Sequence, residues 1–146
     1  MYERILVPLD GSRVAELALD HAAQLARQFG SQLVLVRVVY AREIGLEGPE
    51  DQLRIDSMGT EADVRDAEEY LSGVQGKLLS DGIKATTAVM YGDVSQQILS
   101  KAADVSARLI VMSTHGHGGL KRSDFGSVAG AVLRQSHVPL LVLPYR

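Results

Sequence analysis

Short apolar runs alternate along the chain with longer segments in which apolar residues recur every three to four positions. The runs lie at residues 4–8, 33–39, 84–90, 109–112 and 139–143. The run at 33–39 is nearly continuously apolar, which is typical of a strand in a parallel sheet that is covered on both faces. The periodic segments that follow the first four runs predict four amphipathic helices.

Capping residues mark the ends of the predicted helices. Ser12 precedes the first helix as an N-cap, and Gly30 follows it at a position where glycine commonly ends helices. Thr60 with Asp63 resembles a capping box before the second helix, and Asp93 precedes the third.

We expect the first helix to turn toward the core the residues that recur at helical spacing: Val14, Leu17, Ala18, His21, Ala22, Leu25, Ala26 and Phe29. On that interpretation His21 is a core residue rather than a ligand of a metal or substrate.

Strands that alternate with helices throughout predict crossover units and therefore a parallel sheet. We expect one α/β domain over residues 1–146, with a doubly wound, five-stranded parallel sheet of order 3-2-1-4-5 and helices on both faces. Residues 41–60 lack periodicity and predict a long mobile connection. In such sheets a ligand binds beyond the carboxyl ends of the strands, where the strand order reverses.

The composition of the chain argues against several classes of function. The net charge is −3, which argues against a nucleic-acid binder. No apolar stretch approaches the roughly 20 residues that span a bilayer, so we expect no membrane association and a cytoplasmic location. The chain has no cysteine, which excludes disulfides and thiolate metal sites.

The segment from Ser113 to Ser127 carries the most informative chemistry. It leaves a strand and enters a helix, and it holds glycines at positions 116, 118, 119 and 126. Glycines allow the backbone to approach a ligand closely, and amides at a helix N-terminus favour an anion. Lys121 and Arg122 add positive charge.

Two common phosphate-binding motifs do not describe this segment. It lacks the Gly-Lys-Ser/Thr of a P-loop, and it follows the fourth strand rather than the first, unlike the dinucleotide-binding pattern. A loop that only turns the chain remains an alternative.

The chain resembles the universal stress proteins, whose ATP-binding branch carries Gly-x2-Gly-x9-Gly-Ser/Thr between the fourth strand and the last helix. Gly116, Gly126 and Ser127 match that motif in register, and Ser113 replaces its first glycine. The opening residues 5–12, the Tyr-Gly-Asp at 91–93 and the closing residues 138–143 are also similar to this family.

The resemblance implies a role for each matching residue in binding ATP. Asp10 would accept hydrogen bonds from the ribose, Pro8 and Leu9 would border the nucleoside, and the backbone of Val38 would meet the adenine edge. The remaining implied contacts lie at the ribose and the phosphates: Met112, Ser113, His115, Gly116, His117, Gly118, Gly126, Ser127 and Val128.

Several of these residues have a structural alternative. Asp10 could cap the first helix, and Ser127 could cap the last. His115 and His117 could hold a metal, although no third ligand is evident, and we predict no metal site built from protein ligands. We expect Mg2+ or Mn2+ to be held through the phosphates of ATP instead.

The main functional hypothesis is an ATP-binding stress-response or regulatory protein that acts as a nucleotide-dependent switch with an unidentified protein partner. The alternatives are a slow ATPase or nucleotidyl-transfer enzyme on the same fold, and a dimeric stress protein that binds no nucleotide. The apolar last strand, Val138 to Leu143, predicts a homodimer because an edge strand offers unpaired backbone groups.

Overall fold

The computed structural model describes residues 1–39, 61–114 and 126–144. The elements in these ranges, in chain order, are β1 (Arg4–Pro8), α1 (Arg13–Phe29), β2 (Gln32–Val39), α2 (Glu61–Ser80), β3 (Ala85–Tyr91), α3 (Val94–Asp104), β4 (Leu109–Ser113), α4 (Ser127–Gln135) and β5 (Leu140–Leu143). Each strand therefore begins and ends within one residue of its predicted bounds.

The five strands form one parallel sheet in the order β3-β2-β1-β4-β5. This confirms the predicted α/β fold and strand order. The order reverses between β1 and β4, the two central strands. The prediction of one domain with a mobile connection over 41–60 stays a prediction, because residues 40–60 lie outside the described ranges.

Alternate residues of the strands fill two separate cores, as the pleat of a sheet requires. Ile5, Val7 and Leu35 face one core, which α1 and α2 cover. Leu6 and Val36 face the other, which α3 and α4 cover. The inner strands β2, β1 and β4 are thus largely buried on both faces, which accounts for their apolar sequence, whereas the edge strands β3 and β5 are partly exposed.

Alanines make up the buried face of α1, which confirms the prediction for Ala18, Ala22 and Ala26 and corrects it for Leu17, His21 and Phe29. The residues of the helix that are buried are Ala15, Ala18, Ala22, Ala23 and Ala26. Leu17 and Phe29 are instead 59% and 45% exposed, and His21 is exposed as well. Small side chains let a helix lie close to the sheet, so the alanine stripe faces inward and the larger residues lie at its margins.

Capping residues set the helix ends largely as expected. The Ser12 hydroxyl accepts a hydrogen bond from the Ala15 amide at 3.1 Å, and Gly30 ends α1 with a φ of 69°. The Asp93 carboxylate accepts a hydrogen bond from the Gln96 amide at 3.1 Å. The start of α2 was predicted from Thr60, which lies outside the described residues. No helix in the described ranges is long and apolar enough to cross a membrane.

Candidate functional site

Four segments meet at the carboxyl edge of the sheet around the point where the strand order reverses. They are the turn from β1 to α1, the end of β2, the end of β4 and the start of α4. The topology brings these segments together because all five strands run in the same direction. This edge is where doubly wound sheets bind ligands.

The turn after β1 is organised by its own side chains. Leu9 is buried, and its amide donates to the Val36 carbonyl at 2.8 Å. The Asp10 Oδ1 accepts a hydrogen bond from the Ser12 amide at 2.9 Å. Ser12, not Asp10, caps α1, so the alternative interpretation of Asp10 as the helix cap is wrong. Pro8, like Asp10, is half-buried at this edge.

The end of β2 directs one peptide group toward the point of reversal. Toward the carboxyl ends of β1 and β2, the last hydrogen bond between the two strands in the described residues is the one from the Leu9 amide to the Val36 carbonyl. In a parallel ladder, every second residue directs its N–H and C=O to the same neighbouring strand. Val38 is the next residue after Val36 on the β1 side, and it lies beyond the end of β1. Its side chain is half-buried against the α3 and α4 core.

A hydrogen bond joins the start of α4 to the end of β4. The Gly126 amide donates to the Thr114 carbonyl at 2.9 Å, and the Thr114 amide donates to the Leu143 carbonyl at 2.9 Å. Met112, Ser113 and Thr114 are all buried, at 5%, 8% and 8% exposure. Residues 114 and 126 are therefore neighbours across a segment of the chain that the structure does not describe. Thr114 was not among the predicted site residues, since its contribution is a backbone contact.

The N-terminus of α4 differs from those of α1 and α3, whose N-caps Ser12 and Asp93 accept a hydrogen bond through their side chains. At α4 the N-cap is Gly126, with φ −61° and ψ 162°, and it has no side chain to accept a hydrogen bond from the first turn. Ser127 is the first helical residue and is exposed, so the alternative that it serves as the N-cap is wrong. Val128 follows it and is half-buried.

The remaining predicted contacts, His115, Gly116, His117 and Gly118, lie outside the described residues. The same holds for Lys121 and Arg122. Within residues 1–39, 61–114 and 126–144, no group of three or more His, Asp or Glu side chains is placed to hold a metal ion.

A charged cluster that the sequence did not predict lies beside the β1–α1 turn. The Arg37 guanidinium carbon is 5.1 Å from the centroid of the Tyr70 ring, and the Tyr70 hydroxyl donates to Glu16 Oε2 at 2.6 Å. Burial and the bond to Glu16 raise the pKa of Tyr70 well above its ordinary value. Tyr70 therefore remains protonated and can donate this hydrogen bond at neutral pH. A lone arginine within an apolar strand was the only sequence signal for this cluster.

The described geometry defines a doubly wound α/β protein with a candidate ligand site at its point of strand reversal. The model of the universal stress protein family matches residues 1–144, and the chain belongs to this family. The chain is 32% identical to universal stress protein MJ0531 of Methanocaldococcus jannaschii over 98% of its length and 82% of that protein.

Solved structures of this family have the same fold. Protein MJ0577, whose structure was used to assign its biochemical function, has a TM-score of 0.83 and 26% identity, with 100% of this chain and 98% of that one covered. A universal stress protein from Archaeoglobus fulgidus, solved in complex with dAMP, has a TM-score of 0.65 and 23% identity. The two chains are each covered to 97%, and this second likeness shows the fold alone.

Proposed function

We propose that this protein binds an adenine nucleotide, preferentially ATP, at the carboxyl edge of the sheet between β1 and β4. In this proposal α4 holds the phosphates, the β1–α1 turn holds the ribose and the end of β2 meets the base. The protein then acts as a nucleotide-dependent module in a stress response, rather than as an efficient enzyme.

The observation that carries this proposal is the start of α4, whose N-cap is a glycine. The first amides of a helix have no partner within the helix, and the side chain of the N-cap residue normally satisfies one of them. Gly126 has no side chain to supply that bond, and its amide bond to Thr114 holds this helix end against the carboxyl end of β4. Amides and the helix dipole together favour an anion such as a phosphate.

The first two strands supply groups that suit a nucleoside. The Val38 peptide group faces the β1 side beyond the last β1–β2 hydrogen bond, where it can pair with the polar edge of adenine. Asp10 is half-buried at the same edge and carries an acceptor for ribose hydroxyls. Buried Leu9 supplies apolar surface beside them.

A divalent cation such as Mg2+ or Mn2+ would bind with ATP through phosphate oxygens and water. Magnesium commonly binds in this way, through substrate phosphates with few protein ligands. Removing the cation with a chelator should weaken ATP binding and leave the secondary structure of the apo protein intact.

Relatives of this chain support a nucleotide as the ligand class. The Archaeoglobus fulgidus universal stress protein was solved with dAMP, an adenine nucleotide, although that likeness extends only to the fold. The assignment to the ATP-binding branch of the family rests on residues of this chain, chiefly Gly126 and Ser127.

Titration calorimetry with ATP, adenosine and inorganic triphosphate, each with Mg2+, tests the proposal. We expect ATP to bind more tightly than adenosine, because the α4 amides contribute only when phosphates are present. Gly126→Val should weaken ATP binding by on the order of 2 kcal/mol or more, since its side chain would obstruct the approach of the phosphates.

A matched control is Gly76→Val, on an exposed face of α2 where no atom lies within 4 Å of an added Cβ. It should leave ATP binding unchanged. Equal affinity of the wild type and Gly126→Val for ATP would refute the assignment of α4. Phosphate release at saturating ATP separates a binding protein from a slow ATPase.

We further propose that the protein forms a homodimer through β5. All four residues of Leu140–Leu143 are half-buried, and β5 pairs only with β4 in the sheet. A two-fold axis would let this edge pair with its own copy and close the assembly at two chains. Pro139 and Pro144 flank the strand. The Pro139 and Leu143 carbonyls accept hydrogen bonds from the β4 side, so the peptide groups of Leu140 and Val142 point to the open edge, where a second chain could pair with them.

Light scattering on the wild type and on Leu141→Lys tests this interface. We expect a dimer for the wild type at micromolar concentration and a monomer for the variant. A monomeric wild type, or a variant that remains dimeric, would contradict the interface.

A further inference from the structure

Arg37 is a charged residue in the apolar strand β2. It lies on the same face as Leu33 and Leu35, which α1 and α2 cover, and it is half-buried. A guanidinium in such a position requires compensating partners, because a buried charge without them is costly.

Two segments surround the Arg37 guanidinium. It stacks over the Tyr70 ring of α2 at 5.1 Å, and Tyr70 in turn donates to Glu16 of α1 at 2.6 Å. Its Nη1 lies 3.1 Å from where a Cβ on Gly11 would stand, so the guanidinium lies beside the β1–α1 turn in space that only a glycine leaves open. Arg37 thus lies between this turn and Tyr70.

The turn that Arg37 packs against carries Asp10. Gly11 has a φ of 86°, a left-handed conformation that favours glycine and is needed here to turn the chain from Asp10 into the helix cap. The Asp10 carboxylate is anchored to the Ser12 amide on the other side of Gly11. Any shift of the Gly11 peptide therefore moves Asp10 relative to the sheet edge.

Asp10 and Arg37 both lie close enough to Tyr70 to affect its pKa. The Asp10 carboxylate raises the pKa of Tyr70 and the Arg37 guanidinium lowers it, in addition to the larger effects of burial and Glu16.

We propose that Arg37, held over Tyr70, is a positioning residue that fixes the β1–α1 turn and so sets the Asp10 carboxylate for recognition of the ribose hydroxyls. This inference rests on the proposed nucleotide function. In this inference Arg37 makes the site prefer ribose to a sugar that lacks hydroxyls, and it does so without contacting the nucleotide.

The test compares the affinities for ATP and 2′,3′-dideoxy-ATP, both with Mg2+, in the wild type and Arg37→Met. We expect the wild type to prefer ATP by about tenfold, as one hydrogen bond to a charged acceptor predicts. In Arg37→Met this ratio should fall toward one, because affinity for ATP is lost and affinity for the dideoxy analogue is retained.

Two further variants sharpen the comparison. Arg37→Lys keeps the charge without the planar stack and should restore the ratio only in part. Tyr70→Leu removes the stacking partner and should lower the ratio with Arg37 still present, which provides a second test if Arg37→Met does not fold. Arg27→Met is the matched control, since Arg27 makes a surface ion pair with Asp81 at 3.7 Å and should leave the ratio unchanged.

Hydrogen exchange of the Ser12 amide in the apo protein gives a readout that needs no nucleotide. This amide is bonded to Asp10, and we expect its exchange to be about tenfold faster in Arg37→Met, as one hydrogen bond to a charged group predicts.

Three outcomes would overturn the proposal. A ratio that stays at the wild-type value in both Arg37→Met and Tyr70→Leu refutes positioning and leaves nucleotide binding itself intact. If the Ser12 amide exchanges at the same rate in Arg37→Met as in the wild type, Arg37 does not fix the β1–α1 turn. Absence of ATP binding by the wild type refutes the proposed function and, with it, the role in ribose selection.

Discussion

The helix starts on either side of the strand reversal are built in opposite ways. At α1 the Ser12 hydroxyl accepts a hydrogen bond from the Ala15 amide, and the Asp10 carboxylate accepts one from the Ser12 amide. At α4 the N-cap is Gly126, which has no side chain to accept a hydrogen bond. The N-cap residue thus satisfies a helix amide at α1 but not at α4.

Because of this difference, the start of α1 should contribute mainly to the stability of the fold and the start of α4 mainly to ligand binding. A capped N-terminus contributes to the free energy of unfolding, typically by about 1 kcal/mol. An uncapped N-terminus gives up that contribution and retains its amides for an anion. Substitutions at the two helix starts should therefore affect different measurements, and three variants test whether they do.

The largest effect should come from Gly126→Asp, which gives α4 the cap that it lacks. The new carboxylate would occupy the first amides and repel phosphates, so ATP affinity should fall by 2 kcal/mol or more, to judge from the strength of charge-assisted bonds. The free energy of unfolding should rise by a few tenths of a kcal/mol, because aspartate is a better N-cap than glycine. Calorimetry and urea denaturation measure the two quantities. A variant that binds ATP normally would show that α4 does not hold the phosphates.

The next effect should come from Ser127→Ala. Ser127 is exposed and is not the cap of α4, so its hydroxyl is free to donate to a phosphate oxygen. We expect ATP affinity to fall about tenfold, in keeping with the loss of one hydrogen bond to a charged group. The urea midpoint should stay at the wild-type value. A drop in stability without a change in affinity would mean that the hydroxyl serves the helix instead.

The smallest effect should come from Ser12→Ala, at the capped helix. Loss of the bond to the Ala15 amide should lower the free energy of unfolding by about 1 kcal/mol. The bond from the Ser12 amide to Asp10 uses the backbone and persists, so ATP affinity should change little. Thermal or urea denaturation measures the first and calorimetry the second. A large loss of affinity with unchanged stability would reverse the comparison.

Local signals explain why much of this architecture could be predicted from the sequence. Ser12, Gly30 and Asp93 act through hydrogen bonds or backbone conformations within a few residues, so their effect can be recognised in a short window. The strands could be found because burial on both faces leaves them apolar throughout. The strand order followed from these elements together with the family resemblance.

Contacts between distant residues could not be predicted. The bond from Tyr70 to Glu16 spans 54 positions, and nothing local to either residue indicates it. The orientation of α1 was misjudged for a related reason. Apolar spacing places Leu17 and the alanines on overlapping arcs, and only the close approach of the helix to the sheet selects the alanines. The contacts of Gly116 and its neighbours stay a prediction, since these residues lie outside the described ranges.

The pairing of β1 with β4 bears on how this protein folds. β1 is registered with β2 through five residue pairs but with β4 through two, Ile5 with Leu109 and Leu6 with Ile110. This short pairing also joins segments on the order of 100 residues apart, and contacts of such long separation carry a high closure entropy and tend to form slowly. We therefore expect the two halves of the candidate site to come together late in folding, so that a ligand that bridges them would stabilise the strand pair with the fewest registered residues.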